Sequence, residues 1–119
     1  MPTILIVDDD DAVRGILFDL LSEKHSCNTA STAEQALQYI EIEKYDLIIT
    51  DIAMPGLSGV ELLEKVHERD SSTPVILISG KDSEAETSSV SELGAFAYVT
   101  KPFNLDDIEE VVERAVAGN

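Results

Sequence analysis

Residues 47–56 read Leu-Ile-Ile-Thr-Asp-Ile-Ala-Met-Pro-Gly, and this stretch decides the fold. Its first four residues are apolar or β-branched, a pattern typical of a strand buried on both faces of a parallel sheet. Asp51 stands at the end of that run, and Pro55 and Gly56 signal the turn that follows. Because ligands bind outside the carboxyl ends of the strands in open α/β sheets, Asp51 is placed for chemistry.

Four more short runs have the same strand pattern, and we expect strands at Thr3–Val7, Ser26–Ala30, Pro74–Ser79 and Ala97–Thr100. Each of the five strands precedes a segment with helical spacing of apolar residues. The fourth such segment, 83–93, is poor in apolar residues, so we expect it to be the loosest element. The inward-facing positions of the other four are Val13, Ile16, Leu17, Leu20 and Leu21; Ala33, Ala36, Leu37 and Ile40; Gly59, Leu62, Leu63 and Val66; and Leu105, Ile108, Val111, Val112, Ala115 and Val116.

Strict alternation of strand and helix predicts an α/β fold, a doubly wound, five-stranded parallel sheet with right-handed crossovers. Two strand orders are common for such sheets. We favour the flavodoxin-like (βα)5 order 2-1-3-4-5 because it brings Asp8 and Asp9, after the first strand, beside Asp51. It also leaves the polar second strand at an edge of the sheet.

Composition limits the possible functions. The chain has 119 residues, which is the size of one domain, and 24 acidic against 8 basic residues, for a net charge of −16. Such a charge repels phosphate backbones and argues against direct nucleic-acid binding. The apolar run at the start is too short for a signal peptide or a membrane span, and the single cysteine, Cys27, has no internal partner. We therefore expect a soluble cytoplasmic protein with no membrane contact.

The predicted sheet gathers three carboxylates, those of Asp8, Asp9 and Asp51, in one crevice. Two such charges about 4 Å apart repel by roughly 4 kcal/mol at an effective dielectric of 20, so either protons or a cation must offset them. An all-oxygen site of this kind suits Mg²⁺. Lys101, after the fifth strand, adds a fixed positive charge, and Ser79, after the fourth, adds a hydroxyl. These groups together suit transfer of a phosphoryl group onto Asp51.

Four motifs at strand ends resemble the signature of response-regulator receiver domains, the CheY-like family of two-component signal transduction. They are Val7-Asp8-Asp9, residues 50–56 (Thr-Asp-Ile-Ala-Met-Pro-Gly), Leu77-Ile78-Ser79-Gly80, and residues 94–103 (Gly-Ala-Phe-Ala-Tyr-Val-Thr-Lys-Pro-Phe). The resemblance covers the whole chain, 1–119, as a single receiver domain. A stand-alone relay and a piece of a larger response regulator or hybrid kinase are both compatible with it.

The resemblance implies a role for each matching residue. Asp51 would be the phosphoacceptor, and Asp8, Asp9, Asp51 and the backbone carbonyl of Ala53 would hold Mg²⁺. Ser79 and Lys101 would each contact a phosphoryl oxygen, and the Lys101–Pro102 bond would be cis. Ser79 stands where Thr is the commoner residue, so the hydroxyl is kept and a methyl group is lost.

The family resemblance also implies a switch and its partners. Ser79 would move toward the phosphoryl group, and the ring of Tyr98 would turn inward. This would reshape the surface formed by helix 4, strand 5 and helix 5. The phosphoryl donor would be a phosphohistidine on a sensor kinase or phosphotransfer domain, and a downstream protein or output domain would read the surface.

Other interpretations remain for single residues and for the whole chain. Taken alone, Asp8 and Asp9 also fit capping acids, and Lys101 fits a solvated lysine; His25 and His67 fit surface residues. A flavin or nucleotide binder of this fold would need a glycine- or hydroxyl-rich phosphate loop after the first strand, where four aspartates stand instead. An aspartate-nucleophile phosphatase usually has a second acid two residues after the nucleophile, where this chain has Ala53. A receiver-shaped module that is never phosphorylated would not need the full set of acids, hydroxyl and lysine.

Overall fold

Five parallel strands form one sheet in the order β2-β1-β3-β4-β5. The computed structural model describes residues 2–54, 56–79 and 94–117. The strands are β1 (Thr3–Val7), β2 (Ser26–Ala30), β3 (Leu47–Asp51), β4 (Val75–Ser79) and β5 (Ala97–Thr100). The predicted fold class and strand order are confirmed. The fourth predicted helix, 83–93, lies outside the described residues.

Four helices are described: α1 (Asp11–Leu21), α2 (Ala33–Ile42), α3 (Gly59–Arg69) and a C-terminal helix (Leu105–Ala117). Their caps follow from the sequence. Asp10 accepts hydrogen bonds from the backbone of α1, and Thr32 accepts one from Gln35 in α2. Ser58 and Glu61 form a reciprocal capping box at the start of α3. None of these helices is long and apolar enough to cross a lipid bilayer.

Two apolar layers cover the sheet, one on each face. The layer against α2 and α3 includes Leu5, Ile48 and Leu77, and the layer against α1 and the C-terminal helix includes Ile6, Ile49 and Ile78. All five residues of β3 are buried, as are all five of β4. Neighbouring residues of one strand lie in opposite layers, because successive side chains of an extended strand point to opposite faces of the sheet. Because both faces are covered, the central strands are apolar up to their polar carboxyl ends.

Three positions differ from the sequence prediction. Ile16 is 48% exposed, because it lies about 100° around the helix axis from the buried Leu17. Leu105 is 42% exposed although it lies on the same face as the buried Val112, since it is the first residue of its helix. His25 is buried, not at the surface, because its backbone N–H donates to Leu21 at the end of α1 and holds it against that helix. The Lys101–Pro102 peptide bond is cis, as expected.

Gly59, the first residue of α3, lies against the strand that carries Asp51. Its backbone N–H donates to the carbonyl of Ile52 at 2.9 Å. A Cβ atom at this position would lie 2.1 Å from the carbonyl oxygen of Asp51 and 2.9 Å from the Cα of Ile52. Both contacts are with backbone atoms, so only glycine allows α3 to begin this close to the end of β3.

We therefore expect Gly59→Ala to destabilise the fold by about 1–3 kcal/mol or more, because the backbone must shift to admit the methyl group. Gly15→Ala in α1 is the matched control, since a Cβ there has no neighbour within 4 Å. That control should stabilise the fold by about 0.5–1 kcal/mol through lower backbone entropy in the unfolded chain. Urea unfolding followed by circular dichroism measures both changes. Equal effects of the two substitutions would contradict this account of the α3 contact.

Candidate phosphoacceptor and metal site

Three carboxylates converge at the carboxyl ends of β1 and β3. Asp8 and Asp9 follow β1, and Asp51 is the last residue of β3. One oxygen from each of these side chains lies within 4.8 Å of the other two. Asp8 is 1% exposed and Asp51 is 5% exposed, whereas Asp9 is open to solvent. The sequence therefore predicted correctly that these acids meet, and the meeting results from β1 and β3 being neighbours in the sheet.

Lys101 reaches the cluster from the end of β5. Its Nζ lies 3.1 Å from Oδ2 of Asp51, to which it donates a hydrogen bond, and 3.6 Å from Oδ2 of Asp8. The backbone N–H of Lys101 donates to the carbonyl of Ser79 at 2.7 Å, which fixes the chain where β5 ends beside β4. The amine thus supplies one positive charge to two buried carboxylates.

One ammonium group does not satisfy all the acceptors. Oδ1 of Asp8 accepts the backbone N–H of Asp10 at 2.9 Å, but Oδ2 of Asp8 is buried and has no hydrogen-bond partner in the described part of the chain. A buried carboxylate oxygen without a hydrogen bond is costly even with an ammonium group 3.6 Å away, and a metal cation is a usual remedy. The all-oxygen donor set and the partly open position at Asp9 fit a divalent cation such as Mg²⁺.

The pKa values of two groups reflect this environment. Burial raises the pKa of the Asp8 carboxyl above its ordinary value, and the neighbouring charge of Asp51 adds to the rise against the opposing effects of the Asp10 N–H and of Lys101. Burial lowers the pKa of the Lys101 amine, but its hydrogen bond to Asp51 and the two nearby carboxylates outweigh that effect. The pKa of Lys101 is therefore raised, and its positive charge is secure at neutral pH.

The remaining predicted site residues lie around the cluster. The N–H of Ala53 donates to Oδ1 of Asp51 at 3.3 Å, and Ala53 is exposed. Ser79 is 1% exposed, and its hydroxyl has no hydrogen-bond partner among the described residues. Tyr98 is 44% exposed and pairs with Leu77, while Thr100, two residues further on, pairs with Ser79. Ser79 and Tyr98 thus belong to neighbouring strands at this end of the sheet.

Sequence reasoning missed two residues beside the site. Arg14 in α1 donates a hydrogen bond from Nη1 to the carbonyl of Asp8 at 2.7 Å. Gly59 packs against the backbone of Asp51. A signal for Arg14 was present, because a single arginine close to four consecutive aspartates at the start of a helix is an available partner for them. No sequence signal distinguished Gly59 from an ordinary position on the inner face of α3.

Comparison with known proteins agrees with this geometry. A family profile described as the response regulator receiver domain matches residues 4–113. The chain is 34% identical over 118 residues to the DNA-binding transcriptional regulator NtrC of Azospirillum brasilense, covering 98% of this chain and 24% of that protein. It is 34% identical over 111 residues to the alkaline phosphatase synthesis transcriptional regulatory protein PhoP of Bacillus subtilis, covering 92% of this chain and 46% of that protein. The chain thus spans about a quarter to a half of the length of these curated relatives.

Solved structures have the same architecture. A CheY-like receiver domain protein from Methanospirillum hungatei JF-1 superposes with a TM-score of 0.93 at 34% identity, covering 99% of this chain and 95% of that one. A receiver domain protein from Clostridium thermocellum gives a TM-score of 0.93 at 26% identity, covering 99% and 96%. The sequence match, the fold and the clustered aspartates agree: the chain belongs to the response regulator receiver domain family.

Proposed function

We propose that residues 1–119 act as one phosphoacceptor domain, in which Asp51 receives a phosphoryl group from a phosphohistidine of a sensor kinase or phosphotransfer domain. The observation that carries this proposal is the position of Lys101 Nζ, 3.1 Å from Oδ2 of Asp51, because Asp51 also belongs to the three-carboxylate cluster. An acceptor acid, a fixed cation and a divalent-cation site together suit phosphoryl transfer, which depends mainly on positioning and on charge neutralisation.

In the proposed reaction, a carboxylate oxygen of Asp51 forms a bond to phosphorus as the bond from phosphorus to the histidine nitrogen breaks. The product is an acyl phosphate on Asp51, and the released imidazole takes up a proton. Asp8, Asp9, Asp51 and the carbonyl of Ala53 would hold Mg²⁺, which would neutralise charge on the phosphoryl oxygens. Lys101 would pair with another phosphoryl oxygen after giving up its hydrogen bond to Asp51. The role of this domain is signalling, not turnover of a substrate.

The same proposal assigns the switch to Ser79 and Tyr98. The buried hydroxyl of Ser79 lacks a partner in the described residues and would donate to a phosphoryl oxygen on Asp51. The ring of Tyr98 is 44% exposed and would turn inward on phosphorylation. Phe96 and Leu105 are also exposed apolar residues near β5, and a downstream protein or output domain would read the changed surface. The net charge of −16 makes nucleic acid an unsuitable direct partner of this domain.

Replacing the acceptor tests the assignment most simply. Asp51→Asn should incorporate no phosphoryl label from a small phosphodonor such as acetyl phosphate in the presence of Mg²⁺, because the amide oxygen does not form the acyl phosphate. Asp19→Asn, a change at an exposed acid of α1, is the control and should label as the wild type does. Mass spectrometry of the intact protein measures the incorporation. Persistent labelling of Asp51→Asn would refute the assignment.

Metal binding should stabilise the fold. By mass action, Mg²⁺ at 100 times its dissociation constant adds about 2.7 kcal/mol to the free energy of unfolding, which raises Tm by several degrees. Asp9→Asn should raise Tm in the absence of metal by relieving repulsion within the cluster, and it should remove most of the Mg²⁺-dependent rise. Thermal unfolding in MgCl₂ and in NaCl of equal ionic strength separates binding from general screening. An equal rise in both salts would count against a specific site.

The amine of Lys101 should couple phosphorylation to the switch. Lys101→Ala should still fold and accept label on Asp51, but phosphorylation should no longer shift the backbone amide resonance of Tyr98, because the contact from β5 to the phosphoryl group is lost. Lys65→Ala, at an exposed lysine of α3, should respond as the wild type does. Two-dimensional NMR before and after addition of phosphodonor provides the measurement. A full shift at Tyr98 in Lys101→Ala would show that this role is wrong.

A further inference from the structure

The side chain of Arg14 bends back from α1 toward the end of β1. Its Nη1 donates to the backbone carbonyl of Asp8 at 2.7 Å, and its Nη2 forms an ion pair with the carboxylate of Asp11. The arginine side chain is 20% exposed, whereas that of Asp11 is 90% exposed. The arginine side chain is therefore largely enclosed, and its inner contact is with the backbone next to the carboxylate cluster.

The carbonyl of Asp8 belongs to the peptide group that joins Asp8 to Asp9. Two other polar groups of Asp8 are already held: its N–H donates to the carbonyl of Ala30 at 3.1 Å, and its Oδ1 accepts from the N–H of Asp10 at 2.9 Å. The carboxylate of Asp9, in contrast, is exposed, and no hydrogen bond within the described residues holds it. Its direction depends in part on the orientation of the peptide that precedes it, and the carbonyl of that peptide accepts the hydrogen bond from Arg14.

Helix stability accounts for this placement only weakly, since the ion pair with the exposed Asp11, three residues earlier, adds little to the stability of a helix. Arg14 is the fourth residue of α1, and a positive charge near a helix N-terminus interacts unfavourably with the helix dipole. The carboxylate of Asp10 already caps α1 by accepting from the N–H groups of Ala12 and Val13. The contact made by Arg14 is instead directed at the β1–α1 loop, where two of the cluster carboxylates lie.

We propose that Arg14 is a positioning residue that holds the Asp8–Asp9 peptide so that the Asp9 carboxylate faces the divalent-cation site. This inference rests on the proposed function, since that function assigns the site to Mg²⁺. Groups that orient metal ligands from behind typically change metal affinity 10- to 100-fold when they are removed. We expect loss of the guanidinium to weaken Mg²⁺ binding by about tenfold or more.

An effect of charge and an effect of positioning predict opposite changes in Mg²⁺ affinity for the same substitution of Arg14. Arg14→Gln removes a positive charge near the site, so long-range electrostatics alone would make Mg²⁺ bind more tightly. If Arg14 acts by positioning, the same variant binds Mg²⁺ more weakly in spite of that gain. The direction of the change thus separates the two effects.

The experiment is a Mg²⁺ titration of the wild type, Arg14→Gln and Arg14→Lys, followed by calorimetry and by the amide resonances of Asp9 and Asp10. Arg114→Gln is the matched control, because it removes the same charge from an exposed position in the C-terminal helix. Asp11→Asn is a second control, since it removes the ion pair and leaves the bond to the Asp8 carbonyl intact. Circular dichroism without metal checks that each variant is folded, and Arg14→Lys serves if Arg14→Gln does not fold.

The expected result is at least about tenfold weaker binding for Arg14→Gln, weaker binding for Arg14→Lys, and changes of less than about threefold for both controls. Unchanged or tighter binding by the folded Arg14 variants would overturn the positioning role while leaving the proposed function intact. Absence of Mg²⁺ binding by the wild type would overturn the metal part of the proposed function, and this inference with it.

Discussion

Repulsion among three carboxylates, held together at one end of a buried sheet, is the constraint on which the rest of the structure depends. Asp8 and Asp51 are almost completely buried, and Asp9 brings a third negative charge within 4.8 Å. A fold gathers such charges only if opposite charge is available, and Lys101 supplies one part of it. In the proposed function, the unsatisfied negative charge attracts a divalent cation, and the bound cation in turn favours a phosphoryl group.

The order of the strands in the sheet brings the charged and polar residues together in one site. With β1 and β3 adjacent, the residues that follow them share one crevice, and β4 and β5 add Ser79 and Lys101 from the same edge. The apolar layers on both faces hold these strand ends in register, which keeps the polar residues at and after them close together. A group that binds Asp51 therefore lies close to residues of both the metal site and β5, which is the geometry that a switch requires.

The fold and the meeting of the site residues could be predicted because both follow from strand patterns. The five strands, their order and the approach of Asp8, Asp9 and Lys101 to Asp51 all follow from periodicity together with one choice of topology, and the resemblance to receiver domains supported that choice. Periodicity could not predict whether a side chain at the border of a helix's apolar stripe is buried, as with Ile16. It also could not predict a contact that a helix residue makes with the end of a strand, as with Arg14. Close backbone packing at Gly59 also leaves no trace in a pattern of apolar residues.

The central claim is that these carboxylates form one cation site around the acceptor, and anomalous scattering from crystals soaked in Mn²⁺ tests it most directly. Mn²⁺ accepts the same oxygen ligands as Mg²⁺ and is visible by its anomalous signal. The account predicts one strong peak, roughly 2.0–2.3 Å from carboxylate oxygens of Asp9 and Asp51. A peak bound elsewhere, or an unbound cluster whose acids point into separate regions, would contradict it.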